Sequence, residues 1–120
     1  MLSAAEIELV RRAKELVQEL EQFLAVRDET APSGMPADRS DAAWAAHTAG
    51  LTRNAVELDT AYAAQFAGRA LAQAEAFALV GITPPTASIH AHFATASGPL
   101  GVRAVMVALG YMAEKLELRG

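Results

Sequence analysis

No proline falls between Asp41 and Val80, and the run carries apolar anchors at helical spacing: Trp44, Leu51, Ala55, Leu58, Tyr62, Phe66, Ala70, Phe77 and Val80. A single helix over residues 41–80 would be ~60 Å long. A compact chain of this length has an expected radius of gyration of ~14 Å. Either the run breaks, or its overhang packs on a second chain. Gly50 is the expected break point. A glycine costs only about 1 kcal/mol in a helix interior, so it permits a break without requiring one.

The neighbouring segments give clear helix signals. Ser3 followed by Glu6 is a capping box. Leu9, Ala13, Leu16, Leu20 and Phe23 then recur at three-four spacing, which predicts an amphipathic helix over 3–27. Residues 28–40 hold two prolines and a glycine without an apolar period and read as a long loop. Loops of that length are uncommon unless they serve as lids, binding elements or exchange arms. Asp38 or Ser40 is placed to cap the second helix, predicted over 40–80, and Gly81 to end it. Thr83 and Pro84 open a short helix over 84–96 with Ile89, Phe93 and Ala96 on its apolar edge. Ser97-Gly98-Pro99 stops the chain and restarts it into a last helix over 99–118. The expected fold is a single all-α domain over 1–120, a bundle of about four helices.

The last helix bears on assembly. From Leu100 to Ala113 its only charge is Arg103, while Val102, Val105, Met106, Val107, Leu109, Tyr111 and Met112 point in nearly every direction around the axis. A helix apolar all round is buried all round. Three companion helices are too few to cover it, so a second subunit is expected to complete the bundle, with homodimerisation across a two-fold axis as the simplest arrangement. Gly101 and Gly110 would allow a facing helix to approach closely.

Composition narrows the function classes. A net charge of −4 with scattered basic residues argues against a nucleic-acid partner and against a polybasic lipid site. With no cysteine there is neither a disulfide framework nor a thiolate metal site. The longest uncharged stretch, residues 76–102, is interrupted by Pro84, Pro85, Gly98 and Pro99, so no membrane span is expected. The first residues place acids before bases and lack the apolar core of a signal peptide. A cytoplasmic location is the expectation.

Candidate chemistry is sparse. His90 and His92 lie two apart, ~200° from each other on a helix, so they cannot share a metal there. His47 and His92 sit near apolar edges and read either as half-buried histidines or as an incomplete metal pair. No metal or cofactor is expected. Asp59, Gln65, Arg69 and Gln73 lie close to the apolar stripe of the second helix. They could be a pocket in which Arg69 holds an acidic group while Tyr62 and Gln73 orient it. They could equally reach water at the stripe edge, or Asp59 could pair with Arg69 or Arg103 between subunits. Arg103 could hold an anion or an acidic partner. The acidic residues show no matched pairs for acid–base or magnesium chemistry, and no glycine-rich phosphate loop is present.

Trp44-Ala-Ala-His47, opening the second helix after an amphipathic first helix and a Pro/Gly loop, resembles the DinB/YfiT-like helical enzymes. That resemblance implies a bundle using three histidines for a divalent metal. The family's pair of metal histidines four apart has no counterpart here, and no function is carried over. Two readings follow. The first is a non-enzymatic helical interaction or assembly protein acting as a homodimer, with a further protein partner open. The second is a small helical enzyme or ligand-binding protein with a pocket between the second and last helices. That pocket would be lined by Trp44, Tyr62, Phe66, Phe77 and Met106, with Asp59, Arg69, Gln73, His92 or Arg103 as polar groups, for a small, partly apolar or anionic molecule.

Overall fold

The computed structural model describes residues 1–30, 40–84, 93–95 and 98–120. These form an all-α bundle of α1 (Ala4–Thr30), α2 (Asp41–Gln65), α3 (Ala67–Leu79) and α4 (Gly98–Glu117). The expected loop lies largely outside the described residues, as does most of the short helix over 84–96.

Helix ends follow the local chemistry. Ser3 Oγ accepts from the Glu6 amide at 3.1 Å, and the Ser3 amide donates to Glu6 Oε1 at 3.0 Å, closing the capping box of α1. Ser40 Oγ accepts from the Ala43 amide at 3.2 Å and caps α2. At the end of α3, Gly81 takes φ +79°. Its amide donates to the Ala78 carbonyl, and the Ile82 amide donates to the Phe77 carbonyl, both at 3.0 Å. This is a Schellman motif, closed by the buried pair Phe77 and Ile82. Arg119 Nη1 donates to the Val80 carbonyl at 2.6 Å, placing a cation at the negative end of α3.

The long run does break, at Phe66 and not at Gly50. Phe66 has φ −122°, ~60° from the helical value. Hydrogen bonds from the Phe66 amide to the Tyr62 carbonyl and from the Ala70 amide to the Phe66 carbonyl, both 2.8 Å, carry the chain across the bend. The cause is tertiary. The Phe66 ring sits edge-on to Phe23 of α1 at 5.1 Å and stacks on Tyr62 at 6.3 Å. No residue of α2 before Leu58 is buried, so nothing pulls the helix aside at Gly50.

The core joins Leu16, Leu20 and Phe23 of α1, Leu58 and Tyr62 of α2, Phe77 of α3, and Val102, Val105, Leu109, Met112 and Leu116 of α4, with Phe93 between α3 and α4 in sequence. Each large apolar side chain buried there contributes about 1.5–3 kcal/mol. The most extensive helix contact is between α1 and α4. The last helix is not greasy on every side in space. Gly101, Val102, Val105, Ala108, Leu109, Met112, Ala113 and Leu116 form one buried face, shielded by the chain itself. Leu100 and Val107 stay exposed, at 79% and 64%, with Arg103 and Gly110 beside them. Of the helix surface expected in part to face a second subunit, the chain itself covers one face, and Leu100 and Val107 stay outside it.

What the core does not cover is the first half of α2. The molecule measures 62 × 22 × 22 Å, with a radius of gyration of 17.4 Å, well above the compact value. Residues 41–57 project past the bundle by ~25 Å. No described helix is long and apolar enough to cross a membrane.

Candidate functional site

The residues expected to line one pocket are not brought together. Tyr62, Phe66 and Phe77 lie in the packed core, and Met106 is half-buried against it. Trp44 stands ~33 Å along the helix from Phe66, in the projecting half, where its indole meets His47 edge-on at 6.1 Å. Arg103 lies on the outer face of α4. His90 and His92 lie outside the described residues, and among the described residues no three potential ligands converge on a metal site.

Asp59 and Tyr62 occupy one face of α2, a turn apart. Asp59 Oδ1 accepts from the Gly98 amide at 2.7 Å, an anion at the positive start of α4. The Tyr62 hydroxyl donates to the Phe93 carbonyl at 3.0 Å. Together they fasten the chain entering α4 to α2. Burial pushes the Tyr62 phenol up to about 12.

Arg69 is not paired with Asp59. Its guanidinium grips Glu19 of α1 through both nitrogens, Nη1 at 3.1 Å from Oε1, and stands 5.9 Å over the Phe66 ring. The hydrogen bond from Arg69 lowers the Glu19 carboxyl below its ordinary value. On α1, Arg11 and Arg12 hold Glu8, whose pKa falls to about 2 through their hydrogen bonds, and Arg11 also reaches Glu15 at 2.7 Å. The arginines of this surface thus meet carboxylates of the same surface.

Between α1 and α3 run two adjoining clefts of about 330 and 340 Å³, sharing Arg12, Ala72 and Gln73. One is lined by Arg11, Glu15 and Arg69, the other by Leu9, Ala76, Leu79 and Val80. Where they meet, Gln73 Oε1 is buried without a hydrogen-bond partner. An orphan acceptor costs about 1–3 kcal/mol. Gln73→Met keeps the volume and removes the orphan, so it is expected to raise stability by about 1 kcal/mol, read as a higher urea midpoint at unchanged slope.

Among the described residues, the larger surface left uncovered is on the projecting half of α2. Trp44, Thr48, Leu51, Ala55, Leu58 and Tyr62 alternate in steps of four and three, the spacing of a coiled-coil seam. From Leu58 onward the seam is buried in the chain's own core. Before Leu58 it runs on past the core, with Trp44 and Leu51 exposed. Val56, on the outer side of the helix, is also exposed, at 58%. Reading the apolar anchors alone missed Thr48, because threonine is not an apolar marker, although the four-three alternation includes it.

The chain matches no protein-family model, no curated protein and no solved structure. The resemblance of the Trp44–His47 segment to the DinB/YfiT-like enzymes gains no support from these comparisons, and the functional reading rests on the geometry.

Proposed function

We propose that this chain is a non-enzymatic assembly protein that acts as a homodimer, with the projecting half of α2 as its association surface. One observation supports this above the others: the stripe that packs the core at Leu58 and Tyr62 continues beyond the core through Ala55, Leu51, Thr48 and Trp44, and among the described residues no element covers it there. Helices of ~12–15 residues are marginal in water without tertiary packing. A projecting apolar helix half gains from a partner both its burial and its order.

Sedimentation equilibrium across the micromolar range tests the reading. The weight-average mass is expected to rise from the 12.6 kDa of one chain toward twice that value. Leu51→Lys should hold the mass at one chain while leaving the thermal midpoint of the dilute protein in place, because Leu51 lies outside the core. A wild-type chain that stays single at every concentration would overturn the proposal.

The second reading, a small-molecule site, is favoured only by the orphan Gln73 Oε1 between the two α1–α3 clefts. The ligand would be small and partly apolar and would offer that oxygen a hydrogen-bond donor.

A further inference from the structure

The self-pairing is antiparallel, we infer, with Trp44 of one copy packing over Ala55 of the other and Leu51 over Thr48, four layers related by a two-fold axis that passes between Ala49 and Gly50. The inference rests on the assembly reading and specifies its register. Helices paired in opposite directions set each first seam position against the partner's second, so the paired residue numbers in every layer share one sum. The free seam holds Trp44, Thr48, Leu51 and Ala55. Only one antiparallel register pairs all four among themselves: Trp44 with Ala55, Thr48 with Leu51, and the two symmetric copies of these layers. In each layer a large side chain meets a small one, which fills the space between helices without overpacking.

Charge agrees with this arrangement. Between Ala42 and Leu58 the only charged side chains are Arg53 and Glu57, and both fall outside the seam and its flanks at helical spacing. The flanking positions hold Ala45 and Thr52 on one side and His47 and Asn54 on the other. The four layers can therefore close without burying a charge or opposing like charges, while Asp41, one seam step further out and exposed, comes level with the partner's Leu58 at the edge of the contact. In this register His47 and Asn54 of opposite copies come abreast as a hydrogen-bonding pair.

The fold excludes the parallel alternative. From Leu58 onward the seam face of α2 is occupied by the chain's own core. A parallel partner would bring two bundles 22 Å thick to the same level, on the face where the helices should touch. An antiparallel partner places its bundle at and beyond the level of Asp41, away from the first chain's core. The contact spans four layers, short of the ~800 Å² per partner of a standard interface, and the pairing should be weak and concentration-dependent.

The absence of cysteine allows a direct test on the full chain. Trp44→Cys and Ala55→Cys variants are oxidised separately and as an equal mixture at a concentration where the wild type is dimeric. The expected result is a disulfide-linked dimer in the mixture and little in either variant alone. Equivalent cysteines would be ~16 Å apart along the axis, beyond the ~7 Å Cα separation a disulfide spans. Because Trp44→Cys removes an anchor, a second mixture supports the test. Thr48→Glu and Leu51→Lys should each weaken self-association at least tenfold, and mixing them should restore dimers, since the two new side chains share a layer. A linked dimer from Trp44→Cys alone would show parallel pairing and overturn the register while leaving the homodimer standing. A dimeric wild type with neither mixture effective would place the contact elsewhere and also overturn it. A wild type that never dimerises removes the assembly reading itself.

Discussion

Phe77→Ala is expected to lose about 3–5 kcal/mol of stability, the range for a phenylalanine truncated in a closed core. Phe77 is fully buried, and three structural roles converge on it. Its ring fills the core beneath α4, its carbonyl accepts the Ile82 amide, and its side chain supplies the apolar contact that closes the Schellman motif at Gly81. The backbone bond survives the truncation and the apolar contact does not, so the end of α3 should loosen together with the core. Domains of this size hold about 5–15 kcal/mol in total. The variant should therefore unfold at a far lower urea concentration, and its slope against denaturant will show whether the native state has also loosened. A loss below about 1 kcal/mol would mean that the site collapses around the missing ring.

Stability is expected to fall steeply in alkali, by on the order of 2 kcal/mol, and Tyr62 is the cause. Burial raises its phenol to about 12 from an ordinary 10. The neutral form is thus favoured by folding. Below pH 10 both states are protonated and the full contribution is present. Between pH 10 and 12 the unfolded chain releases the proton and the folded chain keeps it, so unfolding gains with each step in pH. Above 12 the folded phenol also ionises, and the contribution is gone. Tyr62→Phe should flatten this part of the stability curve. It should also lower stability at neutral pH by about 1 kcal/mol, because the hydrogen bond from the Tyr62 hydroxyl to the Phe93 carbonyl is lost. Urea midpoints of both proteins at pH 8 and pH 11.5 decide the matter. Parallel curves would assign the alkaline loss to groups other than Tyr62.

The features legible in the sequence are those set within a few residues. The capping box at Ser3 and Glu6, the Ser40 cap and the Gly81 stop involve neighbours no more than five positions apart, and each is found where its residue type places it. Features set by distant contacts were not legible. The bend falls at Phe66 because a ring from α1 meets it, and Phe23 is not a neighbour in sequence. Arg69 finds Glu19 fifty positions earlier, and Asp59 finds the Gly98 amide. No local pattern announces either pair. The last helix illustrates the same limit: its composition is apolar in every direction, yet packing chose one face and left Leu100 and Val107 outside. Trp44 stands apart from the other aromatic residues of the candidate pocket for a related reason. Periodicity says which residues share a stripe and nothing of how far along the stripe the core extends, so Trp44 and Phe66 were grouped although the core ends between them.

Leu2 lies against Gly120, and Arg119 reaches back to Val80, so the beginning and the end of the chain sit side by side at the foot of α3. The exposed Trp44 is at the opposite tip of a rod 62 Å long. Anything fused to either terminus would hang clear of the apolar tip. If two such rods overlap tip to tip, they become a spacer that carries its attachments at its two far poles, facing away from each other.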